Sequence, residues 1–246
     1  MVLLCDGHAH LCNLEEIEER KNKYIKTALS GTTKEECERI EVLKKESSLF
    51  ISTYGLHPWN SQKLSLDELM PYLEKVSVIG EIGMDSVWCD VPLSLQREIF
   101  VAQLELARKR NIPVVLHTKG QEKEVFSCIK SYSIPFLVHW YSCDNYLEQY
   151  KKKDCYFTIG SDVGWNTTVQ NVVKTIDIKR LLVETDGWDA LLWAAKERGQ
   201  SQENDFSIAK ALSNSIAYIA KIKGMTWEKT GEQIFYNFCQ FYGEKV

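Results

Sequence analysis

Asp6-Gly7-His8-Ala9-His10 follows the apolar run Val2-Leu3-Leu4-Cys5, and the reading of this stretch decides the fold. In an extended segment successive side chains alternate faces, so residues 6, 8 and 10 project to one side and two imidazoles share a direction. Such a pair suits one divalent ion, with Asp6 placed to accept a hydrogen bond from a ring N–H and fix its tautomer. The chain has five histidines, and the other three behave alike: His57, His117 and His139 each close a short run rich in β-branched or aromatic residues. Parallel strands of one (β/α) barrel bring such C-terminal ends to a single face, the face where these folds keep their active sites.

Working outward, short apolar runs alternate with longer amphipathic ones. The strand candidates are Val2 to Asp6, Tyr24 to Leu29, Leu49 to Gly55, Val76 to Glu81, Ile112 to His117, Pro135 to His139, Cys155 to Gly160 and Arg180 to Thr185. Helical patterns cover Lys34 to Lys45, Leu66 to Leu73, Leu93 to Arg110, Glu122 to Ser131, Tyr146 to Lys152 and Asn166 to Ile176, with Phe206 to Lys223 and Trp227 to Tyr242 after the last strand. Strand then helix, repeated, argues a parallel sheet. Thr32 or Thr33 with Glu35 or Glu36 signals a helix start, and Asn111-Ile112-Pro113 a helix stop.

A length of 246 residues with 44% hydrophobic content matches an α/β barrel, so one domain over 1–246 is expected. A formal charge of −4 gives no global footprint for nucleic acid, so a polyanionic substrate needs a local positive centre such as a metal. The eight cysteines are scattered without CxxC pairs and read as reduced thiols. No secretory leader pattern stands at the N-terminus and no apolar run reaches the ~18 residues of a membrane span, so a soluble cytoplasmic protein without a membrane association is expected.

The carboxylates complete the pattern. Glu81, in Val78-Ile79-Gly80-Glu81-Ile82-Gly83-Met84-Asp85, ends the fourth run between glycines that permit close approach, which suits a bridge between two ions. His117 and His139 together complete a second site. Glu184-Thr185-Asp186 closes the eighth run and sets Asp186 beside the first strand's histidines once a barrel closes. Asp186 can touch an ion with one oxygen and accept a proton from the attacking water with the other, so Asp186 and Glu81 are the catalytic candidates.

In order and spacing, Asp6-Gly7-His8-Ala9-His10, Gly55-Leu56-His57-Pro58, Gly80 to Asp85, Leu116-His117, His139-Trp140-Tyr141-Ser142 and Glu184-Thr185-Asp186 resemble the TatD family of metal-dependent hydrolases. So do Gln96, Phe100, Gln103, Leu106 and Ala107 after the fourth strand and the terminal Asn237-Phe238-Cys239-Gln240-Phe241-Tyr242, so the resemblance runs the whole chain. It implies a single TIM-like (β/α)8 barrel of the amidohydrolase superfamily holding two divalent ions. By the same resemblance His8, His10 and Asp186 bind one ion, His117 and His139 the other, and Glu81 bridges them, while His57 lines the substrate site. The implied chemistry is phosphodiester hydrolysis, as in a deoxyribonuclease with 3′ to 5′ exonuclease action, with DNA as substrate and no obligatory protein partner. The same centre would serve an amide, lactone or ester. Imidazole-rich ligation suits Zn, Mn, Fe or Co, while Mg is the abundant ion of phosphoesterases.

The rim departs from the family's pattern. Cys12 stands where an aspartate is frequent, Lys119 where an arginine is, Cys143 where a glycine is, and Gly187-Trp188 where an Ala-Pro pair is usual. A later Arg-Gly-x-x-Asn-Glu-Pro pattern survives as Arg198-Gly199, with Gln202-Glu203-Asn204 at its end. Trp59, Trp88, Trp140, Trp165, Trp188 and Trp193 follow or lie near strand ends, and packing under loops is their ordinary role. Trp140 and Trp188, nearest the proposed ligands, join His57 and Lys119 as candidate substrate contacts able to stack on bases.

Overall fold

Runs such as Val114-Val115-Leu116 and Leu181-Leu182-Val183 are buried along their whole length, as strands of a parallel sheet covered on both faces should be. The computed structural model describes residues 3–11, 13–199 and 207–245. Val2, Cys12, Gln202, Glu203, Asn204 and Phe206, all named above, lie outside the described residues.

The strands are β1 (Cys5–Ala9), β2 (Lys26–Gly31), β3 (Phe50–Tyr54), β4 (Ile79–Gly83), β5 (Val114–His117), β6 (Phe136–Val138), β7 (Tyr156–Ile159) and β8 (Leu181–Val183). The helices are α1 (Leu14–Asn22), α2 (Lys34–Glu46), α3 (Leu66–Leu73), α4 (Leu93–Arg110), α5 (Glu122–Ile129), α6 (Leu147–Lys152), α7 (Thr167–Thr175), α8 (Trp188–Glu197), α9 (Ile208–Lys223) and α10 (Trp227–Tyr242). The strands pair in chain order, all parallel. A parallel bridge between Ala9 and Asp186, with Asp186 N–H donating to the His8 carbonyl at 3.1 Å, brings β8 back to β1. The architecture is a TIM-like (β/α)8 barrel. No described helix is long and apolar enough to cross a membrane.

Several boundaries differ from the sequence reading. The first strand is Cys5–Ala9, not Val2 to Asp6, so the histidine motif lies in the strand and its exit. The second begins at Lys26, because Tyr24 adopts a left-handed φ of 53° that ends the preceding turn. Helices α1 and α8 were not anticipated. The first is charged along most of its length, and its signal is the capping box of Asn13 and Glu16. The start of α2 resolves to a capping box of Thr33 with Glu36, and α4 stops at Asn111 in the left-handed region, φ 52° and ψ 49°.

Asp6 does not orient a histidine. A register shift between Asp6 and Ala9 breaks the strict alternation on which that expectation rested. The carboxylate instead accepts from Arg20 Nη1 at 2.7 Å, from Thr185 N at 2.9 Å and from Thr185 Oγ1 at 2.5 Å. Arg20, wholly buried on α1, also donates to Thr27 at 3.1 Å and to Thr185 at 3.2 Å. This knot ties α1, β1, β2 and the end of β8 together beneath the histidines. The terminal helix adds a second tie: Asn237 Nδ2 donates to the carbonyls of Ile178 and Leu181, both at 2.7 Å, and the Tyr242 hydroxyl donates to the Gly7 carbonyl at 2.6 Å.

Candidate metal centre

The strand exits converge on Glu81, which is 1% exposed, and its two oxygens face different partners. Oε2 lies 3.2 Å from His8 Nε2 and 3.1 Å from His10 Nε2. Oε1 lies 2.5 Å from His117 Nδ1, 3.2 Å from His139 Nε2 and 3.4 Å from His57 Nε2. Asp186, at the exit of β8 with a left-handed φ of 60°, brings Oδ1 to 3.4 Å from His8 Nε2 and 3.8 Å from His10 Nε2. Chain and ligands are pressed together here. A Cβ on Gly83 would lie 1.9 Å from the His117 carbonyl oxygen, and one on Gly187, at φ 92°, would lie 2.4 Å from that of His10.

Two carboxylates that the sequence reading left without a role stand behind the histidines. Asp85 Oδ2 lies 3.0 Å from His117 Nε2, and Glu184 Oε2 lies 3.2 Å from His139 Nδ1. Each accepts from the far ring nitrogen, which would leave the near nitrogen to offer its lone pair to an ion bound beside Glu81. The strand-end position of Glu184, two residues before Asp186, was the available signal. Asp85 needs the fold, because its loop is held by Gln96, whose Oε1 accepts from Asp85 N at 2.8 Å and whose Nε2 donates to Asp85 O at 2.9 Å. Gln103 grips the Leu56 backbone next to His57 in the same way, at 2.7 and 3.1 Å. These two glutamines of α4 are therefore buried fixtures of the site's loops.

His57 turns the other way, with its Nδ1 engaged by backbone and its Nε2 facing Glu81. Its Nδ1 accepts from the Trp59 backbone N–H at 3.3 Å, so in the neutral ring Nε2 carries the hydrogen and points at Glu81 as a donor. Burial pushes its pKa down to about 4, against the raising influence of Glu81. Burial also opposes charge on His117, but the Glu81 and Asp85 carboxylates outweigh it and raise that ring to about 9. Burial would raise the Glu81 carboxyl, yet the surrounding histidines, His139 first, hold it well below its ordinary range. The Asp186 carboxyl is lowered by the same competition.

The donor set fits divalent metal. Among the described residues three groups have ligand atoms all within 4.8 Å of one another: His8, His10 and Glu81; His57, Glu81 and His117; and His8, His139 and Asp186. Neither ring nitrogen of the wholly buried His8 has an aligned hydrogen-bond partner, and Asp186 Oδ1 has none either. Buried polar atoms of a native fold are normally satisfied, so these lone pairs are arranged for a ligand. Imidazole and carboxylate together suit Zn, Mn, Fe or Co. His139 sits within reach of both the His117 and the His8 sides, their ring centroids being 5.6 and 4.5 Å away.

The centre forms the floor of a cleft of about 600 Å³. Of the candidate substrate contacts His57, Lys119 and Trp140 line it, but Trp188 does not. As the first residue of α8, Trp188 is half-buried against the core, and Trp193, further along that helix, reaches the cleft instead. Trp59 and Trp88 also line the opening rather than packing beneath loops.

Comparison with known proteins identifies the family. The family model described as TatD related DNase matches residues 5–243. An uncharacterized metal-dependent hydrolase of Methanocaldococcus jannaschii is 28% identical, the match covering 98% of this chain and 97% of that protein. A 3′-5′ ssDNA/RNA exonuclease TatD of a Rahnella species is 26% identical over 64% of this chain and 65% of its own. The crystal structure of the TatD homologue YjjV from Escherichia coli K12 superposes with a TM-score of 0.85 at 19% identity, over 100% of both chains. A barrel with this convergence of histidines and carboxylates, matched over nearly its whole length, belongs to the TatD family of metal-dependent hydrolases.

Proposed function

We propose that this chain is a two-metal phosphodiesterase acting on nucleic acid ends. The observation that carries the reading is the division of Glu81, whose Oε2 faces His8 and His10 while Oε1 faces His117 and His139. His8, His10 and Asp186 would hold one ion, His117 and His139 the other, with Glu81 between them. When bound, two such ions acidify a water and neutralise charge developing on phosphoryl oxygens.

The chain's own residues supply the rest. Asp186, which would help hold one ion, is also the carboxylate placed to accept the proton of the attacking water. His57, whose Nε2 hydrogen faces Glu81 Oε1 at 3.4 Å, would give that hydrogen to a substrate oxygen once Glu81 is engaged with metal. Asp85 and Glu184 hold the rings of His117 and His139 in place through their far nitrogens. Lys119, hydrogen-bonded to Ser142 at 2.9 Å, brings a positive charge to the substrate phosphate. The nuclease name borne by the Rahnella relative supports DNA or RNA as the substrate class.

The test is an assay of purified protein on end-labelled single-stranded DNA beside a panel of lactones and amides, with Mg, Mn or Zn added. Release of terminal nucleotides is the expected result. Hydrolysis confined to the lactone or amide panel would replace this reading with carbon-centred hydrolysis at the same centre.

A further inference from the structure

The mouth of the cleft carries a tryptophan arc that the metal centre does not use. Trp88, in the loop after β4, and Trp193, on the helix after β8, stand on opposite sides of an eight-stranded barrel, yet their rings meet at 5.6 Å. Trp59 touches Trp88 at 6.4 Å and Trp140 touches Trp193 at 6.1 Å, so the arc spans the opening. The two ends of the arc are anchored: Trp59 Nε1 donates to Asp85 at 2.7 Å and Trp140 Nε1 to Asp162 at 2.9 Å. Trp88, Trp59 and Trp193 are 51%, 43% and 41% exposed, and of these Trp88 and Trp193 hold the middle of the arc, where their rings meet. Exposed indoles clustered over a catalytic floor mark a ligand surface.

The charge at the mouth limits what that ligand can be. Among the described residues lining the cleft, Lys119 is the one lysine or arginine, and its ammonium sits 5.0 Å above the Trp88 ring. Against it stand Glu36, Glu122, Asp162 and Asp189, all outside the centre. A groove that tracks a strand lines up cations along successive phosphates. This mouth instead repels phosphates beyond the first and offers flat apolar faces. A cleft of about 600 Å³ has the dimensions of a small-ligand site.

Resting on the phosphodiesterase reading, we infer that Trp88 and Trp193 form a stacking subsite for the single nucleobase next to the scissile phosphate, and that the enzyme reads this one unit and no more of the strand. Short oligonucleotides, down to dinucleotides, are then its substrates as fully as long ones.

The experiment compares kcat/KM for a dinucleotide, a twenty-nucleotide strand and dinucleotides made abasic at either end, using wild type, Trp88→Ala/Trp193→Ala and Trp88→Phe/Trp193→Phe. Both tryptophans are exposed, so the variants should fold, and the phenylalanine pair should restore most of the effect. Dinucleotide and long strand should agree within about threefold, and raising salt from about 50 to 200 mM should lower either by about threefold, the response to roughly one phosphate contact. Removing the stacked base should cost wild type about ten- to hundredfold, and the alanine variant should lose that discrimination. Nucleoside monophosphate should quench wild-type tryptophan fluorescence saturably, and the alanine variant much less. A long strand preferred by orders of magnitude with steep salt dependence, or indifference to the abasic sugar, would overturn the inference while leaving phosphodiester hydrolysis intact. Absence of any phosphodiester hydrolysis in wild type would overturn both.

Discussion

Glu184→Gln separates a role in metal binding from a role in folding, because the two should move in opposite directions. Glu184 is 1% exposed, one oxygen lies 3.2 Å from His139 Nδ1, and Oε1 has no hydrogen-bond partner. Glutamine keeps the shape but gives up the charge that would make His139 a stronger donor toward an ion, and its amide can turn to present N–H groups to the ring. Loss of such an outer carboxylate typically lowers metal affinity about 10- to 100-fold, or about 1.4–2.7 kcal/mol. The metal-free fold should gain or stay level, since a buried and half-satisfied charge has been removed. A shift within ~1 kcal/mol amounts to about 2–4 °C in Tm for a chain of this size. Chelator competition with Zn or Mn gives the affinity, and a thermal melt of metal-free protein gives the stability. Unchanged affinity, or an affinity loss matched by a large fall in the metal-free Tm, would refute the reasoning.

Arg20→Met should leave Asp6 as an unpaired buried charge and cost about 3–5 kcal/mol, a fall of at least about 6 °C in the thermal melt, with Asp6→Asn/Arg20→Met costing less than the single change. His57→Ala should keep wild-type metal content by elemental analysis and lose turnover, and a metal-depleted variant would make His57 a ligand. Asp186→Asn should retain much of its metal and lose roughly 10²-fold or more in kcat, with both quantities measured on one preparation. Near-normal turnover there would leave the proposed reaction without its base.

The barrel was legible because each strand carries its own signal, and because histidines and acids at run ends make sense only if those ends meet. The motif residues His8, His10, Glu81, His117, His139 and Asp186 do converge. What stayed hidden depends on contacts between distant segments. Arg20 reads as one charge in a polar helix until Asp6 and Thr185 are found beside it. Asp85 is one more loop aspartate until Gln96 fixes its backbone and it meets His117, Trp59, Val87 and Trp88. Proximity in sequence is a poor guide to the tryptophans, since Trp188, two residues after Asp186, packs against the core, whereas Trp193 is carried to the cleft by its helix.

The central claim is that one carboxylate organises both ion sites, and metal content per chain tests it most directly. Elemental analysis of wild type and Glu81→Ala, after equilibration with Zn or Mn and removal of free ions, should find two ions bound to wild type and loss from both sites in the variant, against loss mainly of the second site in His117→Ala. Wild-type occupancy in Glu81→Ala, or a single ion in wild type, would contradict the account.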